Sequence, residues 1–167
     1  DYIFIVTDTS AYIMQFVGPP FTFSIRQVGS NCGAMSQHSL VHVDGIMYWM
    51  GKSGGFYAYD GGSVKKITCS VEDFVFTTQT SDDLGFNFGQ SEQVFAGYNT
   101  LFTEINWFYC KDGSTQIDRC VTLNYREGLW TTSSLARTAY SDKYVLDNPY
   151  ATEYDSTTIP EFPTIQG

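Results

Sequence analysis

Residues 42–61, HVDGIMYWMGKSGGFYAYDG, predict three short strands joined by tight turns. The pair Asp44-Gly45 separates two apolar runs, and a second Asp-Gly pair closes the stretch. Glycine adopts the positive φ of a tight hairpin without a steric penalty, so Asp-Gly between apolar runs is a strong hairpin signal. The aromatic runs 46–50 and 56–59 complete the pattern. We therefore predict an antiparallel meander, as found in one blade of a propeller or one corner of a sandwich.

The composition is that of a globular β protein. The chain has 167 residues, which is enough for one domain with a real core. Apolar residues make up 43% and charged residues 16%, a balance that excludes a disordered chain. Aromatic residues reach 17% beside 15 glycines, and this combination favours strands and tight turns over helices.

The charge balance is acidic. Nine lysines and arginines face 18 aspartates and glutamates, for a net charge of −9. This excess argues against a protein that wraps nucleic acid, because phosphate contacts need clustered cations. No apolar run approaches the roughly 20 residues of a membrane-spanning helix, and no signal-peptide pattern is visible. The sequence starts at Asp1 and enters a strand at once, so we expect a segment of a longer chain.

Strands alternate with turns along the rest of the sequence. One short helix is predicted at 71–77, with Ser70 as its N-cap and carboxylates in its first turn. Polar loops are predicted at 27–35 and 78–90. Two regions follow: a propeller-like region at 1–140, and short strands with an irregular tail at 141–167. The other predicted strands are 2–6, 11–17, 21–25, 39–43, 64–68, 92–97, 100–110, 118–125, 129–133, 144–146 and 151–154.

A repeat is visible between the two most aromatic strands. IMYWMGK, which ends at Lys52, resembles INWFYCK, which ends at Lys111, at an offset of 59 residues. This period exceeds the roughly 40–50 residues of common propeller blades, and the segment 70–90 accounts for the extra length. Such repeats must stack to bury their faces. Two full and two partial units are too few to close a propeller, so the sequence predicts either a segment of a larger propeller or an open sandwich.

The ordered series of motifs resembles the tail nozzle proteins of short-tailed double-stranded DNA bacteriophages, also called tail hub, tail tubular or DNA-stabilisation proteins. The first half carries GPPF, NCG, QHSLVHVDGIMYWMG and FYAYDG in that order. The second half continues with QVFAGYN, F-x-E-I-x-W-F-Y, N-Y-x-E-G-x-W and LARTA. The resemblance covers roughly residues 3–140 and rests on the order of the pieces, since no single piece is specific.

The resemblance implies a structural role in the virion. Proteins of this family form a hexameric ring at the distal end of the tail and carry a propeller-like domain. They extend the DNA conduit, retain the packaged genome and support its ejection. Expected partners are further copies of the chain, other tail proteins such as an adaptor, fibre, spike or needle, and duplex DNA that passes without sequence-specific contact. The family carries over no catalytic residue and no cofactor, so we expect no enzyme, and negative walls would suit a conduit for phosphate.

Four cysteines and one arginine are candidate functional residues. Cys32, Cys69, Cys110 and Cys120 contain no CxxC pair, which argues against a structural zinc site. Cys110 and Cys120 flank a turn and are candidates for a cross-strand disulfide, the alternative being two free, half-buried thiols. Arg137 is a candidate interface residue, because arginine often bridges chains, although a plain surface position is the default.

Several catalytic or metal-binding combinations have simpler explanations. His38, His42 and Asp44 are in phase along a strand and suggest a metal site, but packing or surface hydrogen bonding is the favoured explanation. The Gly-rich segment 52–55 lacks a phosphate-binding frame and predicts a hairpin loop. The other weak candidates are a Cys32–His38 nucleophile pair and the carboxylate pairs Asp82/Asp83 and Glu153/Asp155.

Three classes of function are compatible with the sequence. The first is the structural tail nozzle. The second is a carbohydrate-binding or receptor-binding β module, which predicts exposed aromatic side chains clustered in one groove. The third is a secreted propeller or sandwich hydrolase, which predicts a deep pocket with two convergent carboxylates.

Overall fold

The computed structural model describes residues 2–77, 85–141 and 150–153, and it confirms the predicted all-β fold. Four antiparallel sheets follow one another, each with its strands in chain order. The first sheet contains β1 (Tyr2–Val6), β2 (Ser10–Phe16) and β3 (Phe23–Ser30). The second contains β4 (Leu40–Val43), β5 (Ile46–Met50), β6 (Phe56–Tyr59) and β7 (Val64–Ile67). The third contains β8 (Phe95–Asn99), β9 (Glu104–Tyr109), β10 (Arg119–Asn124) and β11 (Leu129–Ser133), and the fourth β12 (Arg137–Ser141) and β13 (Tyr150–Glu153).

The meander predicted from residues 42–61 forms as expected. Val43 pairs with Ile46 across a two-residue turn. Asp44 and Gly45 in that turn have φ values of 50° and 82°. Positive φ at both central residues defines the type I′ turn, whose twist matches that of the flanking strands. The segment 52–55 is the predicted hairpin loop between β5 and β6.

The helical segments differ in part from the prediction. The helix α1 (Glu72–Phe76) lies within the predicted 71–77, and both carboxylates of its first turn lie near the positive end of the helix dipole. Ser70 is not its N-cap, because that position is Val71, which makes no side-chain capping bond. A 3-10 helix (Phe88–Gln93) replaces the predicted start of the strand 92–97, and the side chain of Asn87 caps it by accepting from the Gly89 amide.

Other differences concern the ends of strands. β3 continues to Ser30, into the predicted loop 27–35, because its whole length pairs with β2. The turn before β9 occupies residues 100–103 instead of 98–99, and it contains Thr103 at φ 56°. β12 was missed, and the predicted boundary at residue 140 falls inside it. The predicted strand 144–146 and residues 78–84 of the predicted loop lie outside the described residues.

The sheets stack face to face, so the second sheet buries both of its faces. In β5, Met47 and Trp49 point to the first sheet, whereas Tyr48 and Met50 point to the third. A sheet with one wet face alternates apolar and polar residues along each strand. A strand between two neighbouring sheets is apolar throughout, which explains the unbroken run IMYWM.

The seam between the first and second sheets is built on aromatic stacking. Phe4 of β1 stacks on Tyr59 of β6 with ring centroids 4.8 Å apart and planes inclined by 12°. Trp49 lies 5.6 Å from the same Phe4 ring and is fully buried. Ala11 and Ile13 of β2 close the cluster. The burial of these rings is the main stabilising contribution of the seam.

The seam between the second and third sheets is the largest cluster of the described chain. Phe56 of β6 lies 4.9 Å from Trp107 of β9 and 4.5 Å from Trp130 of β11. The two indoles stack at 6.0 Å with an interplanar angle of 22°. Around them lie Met35, Val41, Val43, Tyr48, Met50, Val75, Phe86, Val94, Ile105, Tyr109, Val121 and Leu123.

The third and fourth sheets meet around one tyrosine. Tyr140 of β12 lies 5.7 Å from Phe108, and its hydroxyl donates to the carbonyl of Tyr98 at 3.0 Å. Its ring covers Gly97 so closely that a Cβ there would lie 2.2 Å from a ring carbon. Glycine at this position therefore lets the ring rest directly on the backbone of β8.

Equivalent edges of neighbouring sheets lie side by side. The start of β4 approaches the start of β8, where His38 and Phe95 form a parallel bridge and the Ala96 amide donates to the His38 carbonyl at 2.7 Å. At another edge Gly29 of β3 faces Val64 of β7, and a Cβ on Gly29 would lie 2.7 Å from the valine. In the first case the first strands of two neighbouring sheets lie side by side, and in the second case the last strands do.

The structure refines the predicted repeat. The repeated strands β5 and β9 are each the second strand of a four-stranded meander. Trp49 and Trp107, however, both face the preceding sheet, and they are 58 residues apart (107 − 49) instead of 59. A shift of one residue exchanges the two faces of a strand, so the alignment of IMYWMGK with INWFYCK pairs residues that face opposite ways.

Candidate functional site

Three tryptophan indoles each donate a hydrogen bond to a backbone carbonyl of another segment. Trp49 donates to the Cys32 carbonyl at 2.7 Å, Trp107 to the Ser39 carbonyl at 2.9 Å, and Trp130 to the Thr68 carbonyl at 3.0 Å. Each bond joins a strand to a segment outside its own hairpin, which satisfies the indole N–H while the ring is buried. This geometry fixes how neighbouring sheets sit on one another.

A second link joins the first sheet to the glycine loop of the second. The Lys52 ammonium contacts the Asp8 carboxylate at 2.8 Å, and the Lys52 amide donates to the Gly33 carbonyl at 2.9 Å. The hydrogen bond to Asp8 raises the pKa of the Lys52 ammonium. Both charged groups are exposed, so the ion pair adds little stability, and the backbone bond does the positioning.

The strand register does not pair Cys120 with Cys110. β9 and β10 pair Cys120 with Phe108, so the expectation that Cys110 and Cys120 lie directly opposite each other is wrong. All four cysteines are free thiols, and Cys32, Cys110 and Cys120 are buried. Burial raises the pKa of Cys110 to about 11 and that of Cys120 to about 12. The thiols are therefore neutral at physiological pH and poor nucleophiles.

These buried thiols predict a loss of stability at alkaline pH. Their pKa values are higher in the folded chain than the ordinary value of 9.0, so the folded state favours the neutral form. Their contribution is complete below pH 9 and is lost as the pH rises towards 11 to 12, because the unfolded thiols ionise first. We expect urea unfolding free energies to fall across this window. The substitution Cys120→Ala should make the decline shallower, and an unchanged slope would contradict this cause.

The suggested histidine metal site receives no support from its geometry. His42 lies in β4 with an exposed side chain, Asp44 lies in the following turn, and His38 precedes the strand. In residues 2–77, 85–141 and 150–153 no group of three or more metal-ligating side chains is close enough to hold an ion. The His38 carbonyl instead accepts from Ala96, which gives this residue a backbone role between two sheets.

The Cys32–His38 pair and the carboxylate pairs do not assemble a reaction centre among the described residues. Cys32 lies in the seam between the first and second sheets, where burial raises the pKa of its thiol. Asp82, Asp83 and Asp155 lie outside the described residues, as does the side chain of Glu153. A cavity of about 420 Å³ contains Glu72 and Asp73, but these are neighbours on α1, and Glu72 pairs with Lys66. Two carboxylates flanking a sugar would face each other.

Arg137 lies at the start of β12, against the third sheet. Its Nε atom is buried and has no hydrogen-bond partner in the structure. Its charge opposes the rise in the pKa of Cys120, so the guanidinium lies near that thiol. An interface role for Arg137 stays a prediction.

Exposed aromatic side chains of the first sheet lie on a sheet face and at the adjoining hairpin. Phe16 and Phe23 lie beside each other on the first sheet, with ring centroids 5.8 Å apart, and Phe21 lies in the connecting hairpin. Register places them on a sheet face with aliphatic neighbours such as Ile25. Sugar recognition combines aromatic rings with adjacent polar groups, and this face supplies almost none.

Three of the described lysines are paired with carboxylates at the surface. Lys52, Lys65 and Lys66 contact Asp8, Asp60 and Glu72 respectively, each through an exposed ion pair. The full chain has a net charge of −9, which disfavours the binding of a phosphate backbone.

Comparison with known protein families finds no family pattern that the chain matches, and comparison with curated proteins finds no relative. In the part of the chain that the structure describes, no helix has the length and apolar character needed to cross a membrane.

Proposed function

We propose that this chain is a structural component of a short-tailed phage virion, the tail nozzle, in which copies form a hexameric ring that extends the DNA conduit. The main support for the proposal is the stack of meanders. The indole N–H groups buried in its seams form hydrogen bonds that join neighbouring sheets. Such a molecule is rigid and keeps a fixed shape, as the wall of a tube must. In this role the chain is a non-enzymatic protein that retains the packaged genome and supports its ejection.

The arrangement of edges supports a propeller-like array. Blades of a propeller keep their first strands together around an axis and their last strands together at the rim. The bridge between His38 and Phe95 and the approach of Gly29 to Val64 follow this rule. We infer that the second and third sheets are complete blades, and that the first and fourth sheets are parts of neighbouring blades.

The motif series supports the choice of this family over other structural proteins. The segments GPPF, NCG and FYAYDG occur in the order typical of tail nozzle proteins. The acidic surface supports a conduit, because a negative wall lowers the affinity for the passing duplex. Partners would be further copies of the chain and the adjoining tail proteins.

The proposed location can be tested on particles. Gold-labelled antibodies raised against this chain should bind the distal tip of the tail in purified virions of the phage that encodes it. A matched antibody against the major capsid protein controls for access. Labelling of host cell debris with none on virions would contradict the proposal and favour the binding module or the hydrolase.

The proposed conduit predicts that the chain does not retain duplex DNA. With a net charge of −9 and paired surface lysines, we expect no shift in the fluorescence anisotropy of a labelled duplex at about 0.15 M salt. Non-specific DNA-binding proteins show dissociation constants of roughly 10⁻⁴ to 10⁻⁶ M under such conditions. Binding in that range, weakened by added salt, would contradict a low-friction wall.

A further inference from the structure

The outer face of the first sheet, which points away from the second sheet, is apolar. Cross-strand register sorts the residues of this sheet between its two faces, because partners in a ladder share a face. The inner face carries Phe4, Ala11 and Ile13. The outer face carries Ile3, Ile5, Tyr12, Met14, Phe16, Phe23, Ile25 and Gln27.

The outer face is large for a surface left in water. Ile3, Phe16, Phe23 and Ile25 are 55%, 63%, 55% and 64% exposed, and Phe21 at the adjoining hairpin is 78% exposed. With about 200 Å² for a fully exposed side chain of this size, the face and hairpin tip leave on the order of 700 Å² of mostly apolar surface. The largest patch on an ordinary monomer is roughly 300–600 Å². A stable interface buries about 800 Å² on each partner.

The uncharged, apolar side chains of the outer face indicate which kind of surface it can bind. None of its eight side chains is charged, although the chain as a whole has a net charge of −9. Its mixture of aromatic and aliphatic groups matches the faces that the chain uses in its own seams. The opposite end of the stack differs, since the outer face of the fourth sheet carries the small or polar residues Ala139, Ser141 and Thr152 beside Tyr150.

We propose that the outer face of the first sheet binds the same face of a second copy of this chain, sheet against sheet. Two flat apolar faces pack at about 10 Å with interdigitated side chains, as in a β-sandwich. A head-to-tail contact would set the apolar face against the polar end of the stack, so the two-fold, like-to-like contact is favoured. In a closed propeller a further blade would cover this face instead, and a chain that stays monomeric would favour that occupant.

The test is the oligomeric state of the chain, measured by sedimentation velocity across a concentration series. We expect a dimer that tightens with added salt, since salt screens the repulsion between two acidic copies and strengthens apolar burial. The variant Ile25→Glu places a carboxylate in the middle of the apolar contact and should weaken the dimer at least about tenfold. The uncharged variant Ile25→Ser should weaken it by less.

A matched control is Leu129→Glu, which adds the same charge at a residue that is 60% exposed on the third sheet. This variant should dimerise like the parent chain. A parent chain that sediments as a monomer at every concentration would overturn the proposal. Equal dimerisation of the Ile25→Glu and parent chains, with both folded by circular dichroism, would overturn it as well.

Discussion

Substitution of Gly33 by alanine should disrupt the contact between the first and second sheets. A Cβ at this position would lie 1.9 Å from the Asp8 carbonyl oxygen, 2.0 Å from its carbon and 2.4 Å from the Thr9 nitrogen. All three are backbone atoms, so no side chain can rotate away to make room. The expected loss is about 3 kcal/mol or more in the free energy of unfolding, measured by urea denaturation.

The size of this effect follows from what the displaced loop holds. The Cys32 amide donates to the Thr9 carbonyl and the Ala34 amide to the Thr7 carbonyl, both at 3.0 Å, and the Gly33 carbonyl accepts from Lys52. A shift of Gly33 away from Asp8 stretches all three bonds. These bonds join the turn of the first sheet to the loop of the second, so their loss weakens the seam between the two sheets.

The control for this prediction is Gly62→Ala. Gly62 also lacks a positive φ, and a Cβ there would meet only the Asp60 carboxylate, at 3.4 Å. This variant should retain the stability of the parent chain to within about 0.5 kcal/mol. Equal stability of the Gly33→Ala and Gly62→Ala variants would show that the close approach of the two sheets is wrong.

Truncation of Trp107 to alanine should be the second largest change. Its indole is fully buried between the second and third sheets, in contact with Phe56 and stacked on Trp130. Its removal leaves a cavity and takes a donor from the Ser39 carbonyl. The expected cost is about 3–5 kcal/mol, read from the midpoint of chemical denaturation.

An exposed aromatic residue of the same sheet provides the control. Phe102 is 59% exposed in the turn before β9, and Phe102→Ala should change stability by less than about 0.5 kcal/mol. Near-ultraviolet circular dichroism adds a second observable, since the coupled indoles of Trp107 and Trp130 give a signal that Trp107→Ala removes. A Trp107→Ala variant as stable as Phe102→Ala would mean that this seam does not hold the sheets together.

Local signals in the sequence were sufficient for most strands. The Asp-Gly turn at Asp44 fixed β4 and β5, and β5, β6 and β11 have the predicted bounds. Where the prediction failed, a partner distant in sequence decided the structure. β3 extends to Ser30 because β2 provides a partner for its whole length, and β12 forms because β13 pairs with it.

The arrangement of the sheets could not be derived from the sequence to the same degree. The run IMYWM in β5 indicates burial, but it does not show which sheet covers each face of the strand. The alignment of the repeat is off by one residue for this reason. The disulfide candidate failed because register was inferred from spacing alone, whereas β10 pairs Cys120 with Phe108. The close approach at Gly33 has no local signal, since it depends on two loops far apart in the chain.

Electron microscopy of the native assembly, averaged over many particles, tests the central proposal most directly. We expect copies of this chain in a hexameric ring around a channel that admits duplex DNA, with the second and third sheets as adjacent blades and acidic side chains on the channel wall. A monomer with a closed pocket, or a chain bound to glycan without any ring, would contradict the proposal.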